Sequence, residues 1–132
     1  MRKTILMLLL IIPIKCLAPS TVNLTVVVRS PIERYLPLYR AVAFVETHEN
    51  ALSVNLEEWA FGIIQIRQCM LDDFNRATGF NYSLFDCYRE EVSKKIFYWH
   101  CCRYVDFELC ARRWNGSGKM TDNYWVKVKN KL

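Results

Sequence analysis

Three side chains that could move a proton lie close together in the stretch AFVETHENALS, and they are Glu46, His48 and Glu49. A carboxyl group among apolar side chains has a raised pKa, because burial disfavours its charged form. Such a group keeps its proton near neutral pH and can act as a general acid. Cleavage of a glycosidic bond needs an acid of this kind at the leaving oxygen. Either glutamate is a candidate for that chemistry.

The residues before Glu46 predict a helix with one apolar face. Leu38, Ala41, Val42 and Val45 recur at three- and four-residue spacing. Glu46 follows Val45 at the border of that face, so it ends an apolar helix. The segment after it, residues 47–61, is polar and irregular and predicts a loop with room for a small hairpin. Its histidine and glutamates are expected to be solvated: His48, Glu49, Glu57 and Glu58.

Helical patterns continue to the C-terminus, and they predict a mainly α fold. Residues 62–79 read as a turn at Gly62 that enters a helix ending at Gly79. Its predicted apolar stripe is Ile66, Cys69, Met70, Phe74 and Ala77. A longer helix covers residues 87–105, with Val92, Ile96, Trp99 and Arg103 along one side. Asp106 is expected to cap the next helix, and the NGSG segment is expected to end it. Thr121 or Asp122 is expected to cap the last helix.

The chain of 132 residues is long enough for one domain preceded by an export signal. Residues 1–18 have a basic start at Arg2 and Lys3 and then an apolar stretch too short for a comfortable membrane span. The cleavage site stays open, and an uncleaved anchor is the alternative. Residues 19–35 form a lead-in segment and residues 36–132 the domain. We expect export to the periplasm or cell envelope, or secretion.

The charge of the exported part excludes one class of partner. Three of the 18 basic residues lie in the signal, which leaves 15 against 13 acidic residues and a net charge of +2. This excess is too weak to predict binding to nucleic acid. The lysines near the C-terminus are expected on a solvated helix face.

Five cysteines follow the signal, and the odd number leaves at least one free or paired with another chain. If Cys87 and Cys101 share a helix, they are about 21 Å apart, beyond the reach of a disulfide. Cys69 with Cys101 or Cys102, and Cys87 with Cys110, stay open as pairings, and small buried thiols are the alternative. No cysteine pair has the spacing of a zinc site, so no metal is expected.

Three short motifs in a fixed order resemble the lytic transglycosylase catalytic domain of the lysozyme-like superfamily. That family has Glu-Ser at a helix end, then Gly-Leu-Met-Gln, then Ala-Tyr-Asn-Gly. The matching residues here are Glu46-Thr47, Gly62-Ile63-Ile64-Gln65 and Arg113-Trp114-Asn115-Gly116. The resemblance covers about residues 36–132. It implies an α+β lysozyme-like fold, a small helical domain with a cleft and a short β-hairpin after the catalytic helix.

The resemblance also implies a reaction in which Glu46 is the sole catalytic acid and base. Glu46 would protonate the oxygen between N-acetylmuramic acid and N-acetylglucosamine. It would then take the proton of the muramoyl 6-hydroxyl as that oxygen closes on C1, giving a 1,6-anhydro product. The N-acetyl group of the substrate can stabilise the cationic intermediate, so no second carboxylate is required.

Six further residues are implied as substrate-binding: Thr47, Gly62, Gln65, Trp114, Asn115 and Tyr124. Gly62 would let the backbone approach the substrate, while Gln65 and Asn115 would hydrogen-bond its amide and hydroxyl groups. Gln65 as a loop brace, and Asn115 with Gly116 as a plain helix stop, are the alternatives.

The sequence departs from the family pattern at three places. Thr47 replaces a serine but keeps its hydroxyl, and His48-Glu49 stands where glycines are common. Trp114 replaces a tyrosine and loses a phenolic hydroxyl that could bond to the catalytic carboxyl, which Tyr124 could supply instead. The other tryptophans, Trp59, Trp99 and Trp125, are expected in core or loop packing.

Three functions therefore compete. The first is a peptidoglycan lytic transglycosylase. The second is a lysozyme-type hydrolase, or muramidase, in which Glu49, Glu57 or Glu58 would be the second carboxylate. The third is an inactive wall-binding relative. The expected partner is the glycan strand of peptidoglycan, with a secretion or conjugation assembly of the cell envelope as a further candidate. No cofactor is required, and a monomer is expected.

Overall fold

The computed structural model describes residues 33–132, which form a mainly helical domain with one small sheet. The predicted export signal and the lead-in up to residue 32 lie outside the described residues. The α-helices are α1 (Leu36–Thr47), α2 (Gln68–Thr78), α3 (Glu90–Cys101), α4 (Phe107–Asn115) and α5 (Met120–Lys129). Short 3-10 helices cover Glu33–Tyr35 and Leu84–Tyr88. The predicted mainly α fold class is confirmed.

The sheet consists of three antiparallel strands of two residues each, β1 (Val54–Asn55), β2 (Ala60–Phe61) and β3 (Ile66–Arg67). They lie in the order β1-β2-β3, with Phe61 opposite both Val54 and Ile66. The hairpin expected within residues 47–61 is present as β1 and β2. The third strand was not predicted, because a two-residue strand is too short to show an alternating pattern.

Helix α1 is buried along one face, as its sequence predicts. Leu38, Ala41 and Val42 are each at most 2% exposed, and Val45 packs at the edge of the core. Pro37 lies in the first turn, where its missing N–H would have no helical partner. The helix ends because His48 adopts a left-handed conformation and its N–H returns to Phe44 O at 3.0 Å. Glu46 is thereby placed one residue before the end of a buried helix.

The apolar stripe predicted for residues 66–77 is wrong at two of its five positions, since Ile66 and Phe74 are buried and Met70 packs against the core. The helix begins at Gln68, because Ile66 is used in β3, and its buried residues are Leu71 and Phe74. Cys69 and Ala77 are exposed. Gly79 ends the helix in a left-handed conformation, as expected. Among residues 33–132, no helix has both the length and the apolar character needed to cross a membrane.

Two of the predicted helix starts can be compared with the structure. Asp106 caps α4, since its carboxylate accepts from the backbone N–H of Glu108 at 2.8 Å. Helix α5 begins earlier than predicted, with Lys119 at the capping position. Thr121 instead donates to Gly118 O at 2.7 Å, and Asp122 pairs with Arg112 at 2.6 Å.

A disulfide joins Cys101 at the end of α3 to Cys110 in α4, which none of the pairings left open by the sequence includes. The turn between the helices brings the Cα atoms of the two cysteines to within 5.5 Å of each other. Cys87 lies in the 3-10 helix before α3 and not in α3 itself, so the single helix assumed for Cys87 and Cys101 is wrong. Cys87 is a buried thiol whose pKa is raised to about 12 by burial, while Cys69 and Cys102 are exposed thiols.

Gly62 is required by the packing of the chain on itself. It has a φ of 81°, and a Cβ at this position would lie 2.2 Å from the carbonyl oxygen of Cys87. The close approach that the structure shows at Gly62 is therefore made to Cys87, a residue of the domain. Gly79 has a similar φ of 77°, but a Cβ there would meet no atom of the described residues within 4 Å.

Replacing Gly62 by alanine is expected to destabilise the domain by at least about 2 kcal/mol, because it adds a backbone clash to an unfavourable φ. The matched variant Gly79→Ala tests the φ alone and should lower the free energy of unfolding by about 1 kcal/mol. Urea denaturation followed by circular dichroism measures both values. Equal losses in the two variants would show that the Cys87 contact does not constrain the loop.

Candidate active site

Glu46 lines a cavity of about 210 Å³ where the last turn of α1 meets the sheet and α4. The cavity is built from residues that are far apart in the sequence and mostly polar: Glu46, Glu58, Gln65, Arg67, Trp114, Asn115 and Met120. Each of the three sequence motifs contributes at least one residue to the lining of this cavity. The prediction that Glu46, Gln65 and Asn115 share one cleft agrees with this placement.

The carboxyl group of Glu46 accepts a hydrogen bond from Tyr124 in α5, with 2.7 Å between Tyr124 Oη and Glu46 Oε1. Burial raises the pKa of Glu46 above its ordinary value, and the nearby charge of Glu58 raises it further. The Tyr124 bond and the positive charges of Arg67 and Lys127 act in the opposite direction without reversing the shift. Glu46 therefore keeps its proton to a higher pH than an exposed glutamate does.

Tyr124 supplies the phenolic hydroxyl that is missing at Trp114, as the sequence suggested. It is 8% exposed, and burial together with the charge of Glu46 raises its pKa well above the ordinary value. The hydroxyl therefore stays protonated over the working range of a protein and remains a donor to Glu46.

Thr47 holds the end of α1 against the loop that carries Gln65. Its hydroxyl lies 2.7 Å from Ile63 O and 3.2 Å from Ala43 O. A hydroxyl has one proton, so the shorter contact to Ile63 O is the stronger bond. Thr47 and Gly62 are not among the residues that line the cavity. Their contacts with the rest of the domain are those of supports for the loop.

Gln65 combines the two roles that the sequence left open. Its amide nitrogen donates to Gly62 O at 2.9 Å and lies 3.4 Å from Ser53 O, which braces the loop. The residue itself has a φ of 53°, an unusual value for glutamine. Because the nitrogen is used internally, the amide oxygen is the group left to accept a hydrogen bond in the cavity.

Trp114 is part of the core, with 2% of its surface exposed. Its indole N–H donates to Ile64 O at 3.2 Å, and its ring packs against Phe97 with centroids 5.0 Å apart. It reaches the cavity but offers no broad aromatic face to a sugar, in contrast to the surface implied by the resemblance. Asn115 is the last residue of α4, so it is both a helix end and a cavity residue.

Sequence reasoning missed Arg67 and gave Glu58 only a secondary place. Arg67 donates from Nη2 to the carbonyl oxygens of Trp114 at 3.0 Å and Asn115 at 3.1 Å, which ties β3 to the end of α4. Nothing in the sequence distinguishes it from the other arginines. Glu58 is exposed as predicted, yet it lines the cavity.

The remaining candidates lie away from this cavity. His48, Glu49 and Glu57 are exposed and do not line it, in agreement with their predicted solvation. Trp59 is 62% exposed but stacks on Phe61 with ring centroids 6.4 Å apart, whereas Trp99 and Trp125 are partly buried against the core.

Replacing Glu46 by glutamine should make the protein more stable than the wild type at about pH 8 but not at about pH 4. The unfolded carboxyl titrates near 4.5, and the folded one at a higher pH. The stability contributed by Glu46 is therefore full below pH 4.5 and is lost as the pH rises through the folded value. A glutamine has no such loss and can still accept the Tyr124 bond.

Urea unfolding at both pH values measures this difference. Glu49→Gln removes an exposed carboxylate three residues away and serves as the control, with no gain expected on raising the pH. A Glu46→Gln advantage that is independent of pH would contradict the assignment of burial as the dominant effect on the Glu46 carboxyl.

Comparisons of the chain with known protein families, with characterised proteins and with solved structures gave no match.

Proposed function

We propose that this protein cleaves the glycan strands of peptidoglycan as a lysozyme-like lytic transglycosylase, with Glu46 as acid and base. The observation that carries the proposal is the Glu46 carboxyl, largely buried, bonded to Tyr124 at 2.7 Å and open to a polar cavity. The three motifs that suggested the family each contribute a residue to this cavity. The expected export agrees with the substrate, because peptidoglycan lies outside the cell membrane.

The first step of the proposed reaction is proton transfer from Glu46 to the glycosidic oxygen between N-acetylmuramic acid and N-acetylglucosamine. The raised pKa of Glu46 increases the protonated fraction of the carboxyl relative to an exposed glutamate, and this is the form that the step needs. As the bond breaks, Glu46 becomes a carboxylate. The Tyr124 hydroxyl and the nearby charge of Arg67 both stabilise that carboxylate after it has given up its proton.

In the second step a hydroxyl group of the substrate, and not water, is the nucleophile. The Glu46 carboxylate takes the proton of the muramoyl 6-hydroxyl while that oxygen bonds to C1, which closes the 1,6-anhydro ring. Glu46 is then protonated again, and no water is consumed. The amide oxygen of Gln65 and the side chain of Asn115 are the groups that would bond to the N-acetyl and hydroxyl groups of the sugar.

Glu46→Gln is expected to lower the release of soluble fragments from purified peptidoglycan by at least about a hundredfold, because it removes the general acid. The circular dichroism spectrum should remain that of the wild type. Glu49→Gln is the matched control and should retain wild-type release. Full activity of the Glu46→Gln protein would rule out the proposed role.

A muramidase is the second candidate, because Glu58 lines the same cavity as Glu46. In a hydrolase, a second carboxylate acts on water or on the sugar itself. Mass spectrometry of the products separates the reactions, since an anhydro end is one water lighter than a reducing end.

For the proposed transglycosylase, we expect anhydro products from the wild type and from Glu58→Gln. Reducing ends from the wild type, with a loss of about a hundredfold or more in Glu58→Gln, would establish hydrolysis. Glu57→Gln removes the neighbouring exposed carboxylate, which does not line the cavity, and serves as the control.

A further inference from the structure

A second cavity, of about 290 Å³, lies beside the candidate active site, and Arg67 lines both. Two more arginines line the second cavity, Arg103 after α3 and Arg113 in α4, together with Asp73 of α2. We call this second space the arginine cavity. Because Arg67 is common to both, a ligand in the active site could extend into the arginine cavity.

The three guanidinium groups are not neutralised by the protein. None of them forms an ion pair with a carboxylate of residues 33–132. Residues 1–32 contain no aspartate or glutamate, so they offer no side-chain carboxylate either. The one acid that lines the arginine cavity, Asp73, already pairs with Arg76 at 3.4 Å. The cavity therefore carries an excess of positive charge.

Two of the guanidinium groups are held in place. Arg67 is fixed by its bonds to the carbonyl oxygens of Trp114 and Asn115. Arg103 stacks on Trp99, with its guanidinium carbon 4.2 Å from the ring centroid, and its Nη2 lies 3.5 Å from His100 Nδ1. Burial, with the nearby charge of Arg103, lowers the pKa of His100 to about 4, so the neutral imidazole adds no charge. Preorganised guanidinium groups are suited to bind carboxylates through paired N–H donors.

We propose that the arginine cavity binds a carboxylate that projects from the muramic acid part of the substrate, and so sets the register of the glycan at Glu46. This inference rests on the proposed function for the identity of the ligand. The carboxylate has two sources, the lactyl group of a strand without peptides or the stem peptide of a substituted strand. A neutral sugar chain without such groups would leave the three arginines unpaired.

The test measures binding to the Glu46→Gln protein, which cannot cleave, by titration calorimetry. The probes are the neutral hexamer of N-acetylglucosamine, a peptide-free muramoyl glycan and a glycan that carries stem peptides. At least one charged probe should bind about tenfold or more tightly than the neutral hexamer. Adding Arg103→Gln and Arg113→Gln should bring this ratio close to one, and the probe that loses affinity identifies the source of the carboxylate.

A matched double variant controls for total charge. Arg40→Gln with Lys129→Gln also removes two positive charges at exposed positions, and neither residue lines the two cavities. It should keep the wild-type ratio. Because Arg103 and Arg113 are exposed, their replacement is expected to leave the fold intact, which thermal unfolding checks. An unchanged ratio in the folded Arg103→Gln, Arg113→Gln protein would overturn the inference.

A second arm measures binding of small ligands to the arginine cavity in the absence of a glycan chain. Free N-acetylmuramic acid and the free stem tetrapeptide are each compared with their amides by NMR titration. The wild type should bind an acid more tightly than its amide, and the Arg103→Gln, Arg113→Gln protein should not. This result supports carboxylate binding in the arginine cavity even if Glu46 proves not to be catalytic. If the wild type releases anhydro fragments but shows no such preference in either arm, the carboxylate site is wrong and the proposed reaction stands.

Discussion

The hydrogen bond between Tyr124 and Glu46 makes a largely buried carboxyl group compatible with this fold. Burying a carboxylate without a donor is costly, and the usual result is that the group stays neutral. Tyr124 reaches across from α5 to the end of α1 and offsets part of that cost. The net effect is still a pKa above the ordinary value, and the anion has a partner when it forms. A general acid that must later act as a base requires this compromise between the two charge states.

The loop next to Glu46 depends on side chains that sequence reasoning would assign to the substrate. Thr47 donates to Ile63 O, Gln65 to Gly62 O and Trp114 to Ile64 O, so three side-chain donors hold the carbonyl groups of three consecutive residues. Without Thr47 and Trp114, the carbonyl groups of Ile63 and Ile64 would lose these partners, whereas Gly62 O also accepts the backbone N–H of Gln65. The geometry of the loop is therefore set by α1, by α4 and by the loop itself. The consequence is that the Gln65 side chain lines the cavity with an amide oxygen that has no hydrogen-bond partner among residues 33–132.

The features that the sequence predicted are those with a local physical cause. The apolar spacing before Glu46 places it at the end of a buried helix, and the Asp106 cap and the Gly79 stop follow from single residues next to helix ends. The disulfide between Cys101 and Cys110 could not be predicted, because it depends on the direction in which the chain turns between α3 and α4. Arg67 was missed for the same reason, since its partners lie in a distant helix.

Arg67 lies between the two carboxyl groups on which the proposed chemistry depends, that of Glu46 and that of the substrate. Its positive charge favours the ionised form of Glu46 and so works against the acid in the empty protein. A carboxylate bound by Arg67 and the other two arginines would offset that charge. The proton affinity of Glu46 would then rise as the substrate is seated, since a nearby positive charge would be neutralised. On this basis a substrate that carries the carboxylate favours the protonated, reactive form of the acid, and a neutral sugar chain does not.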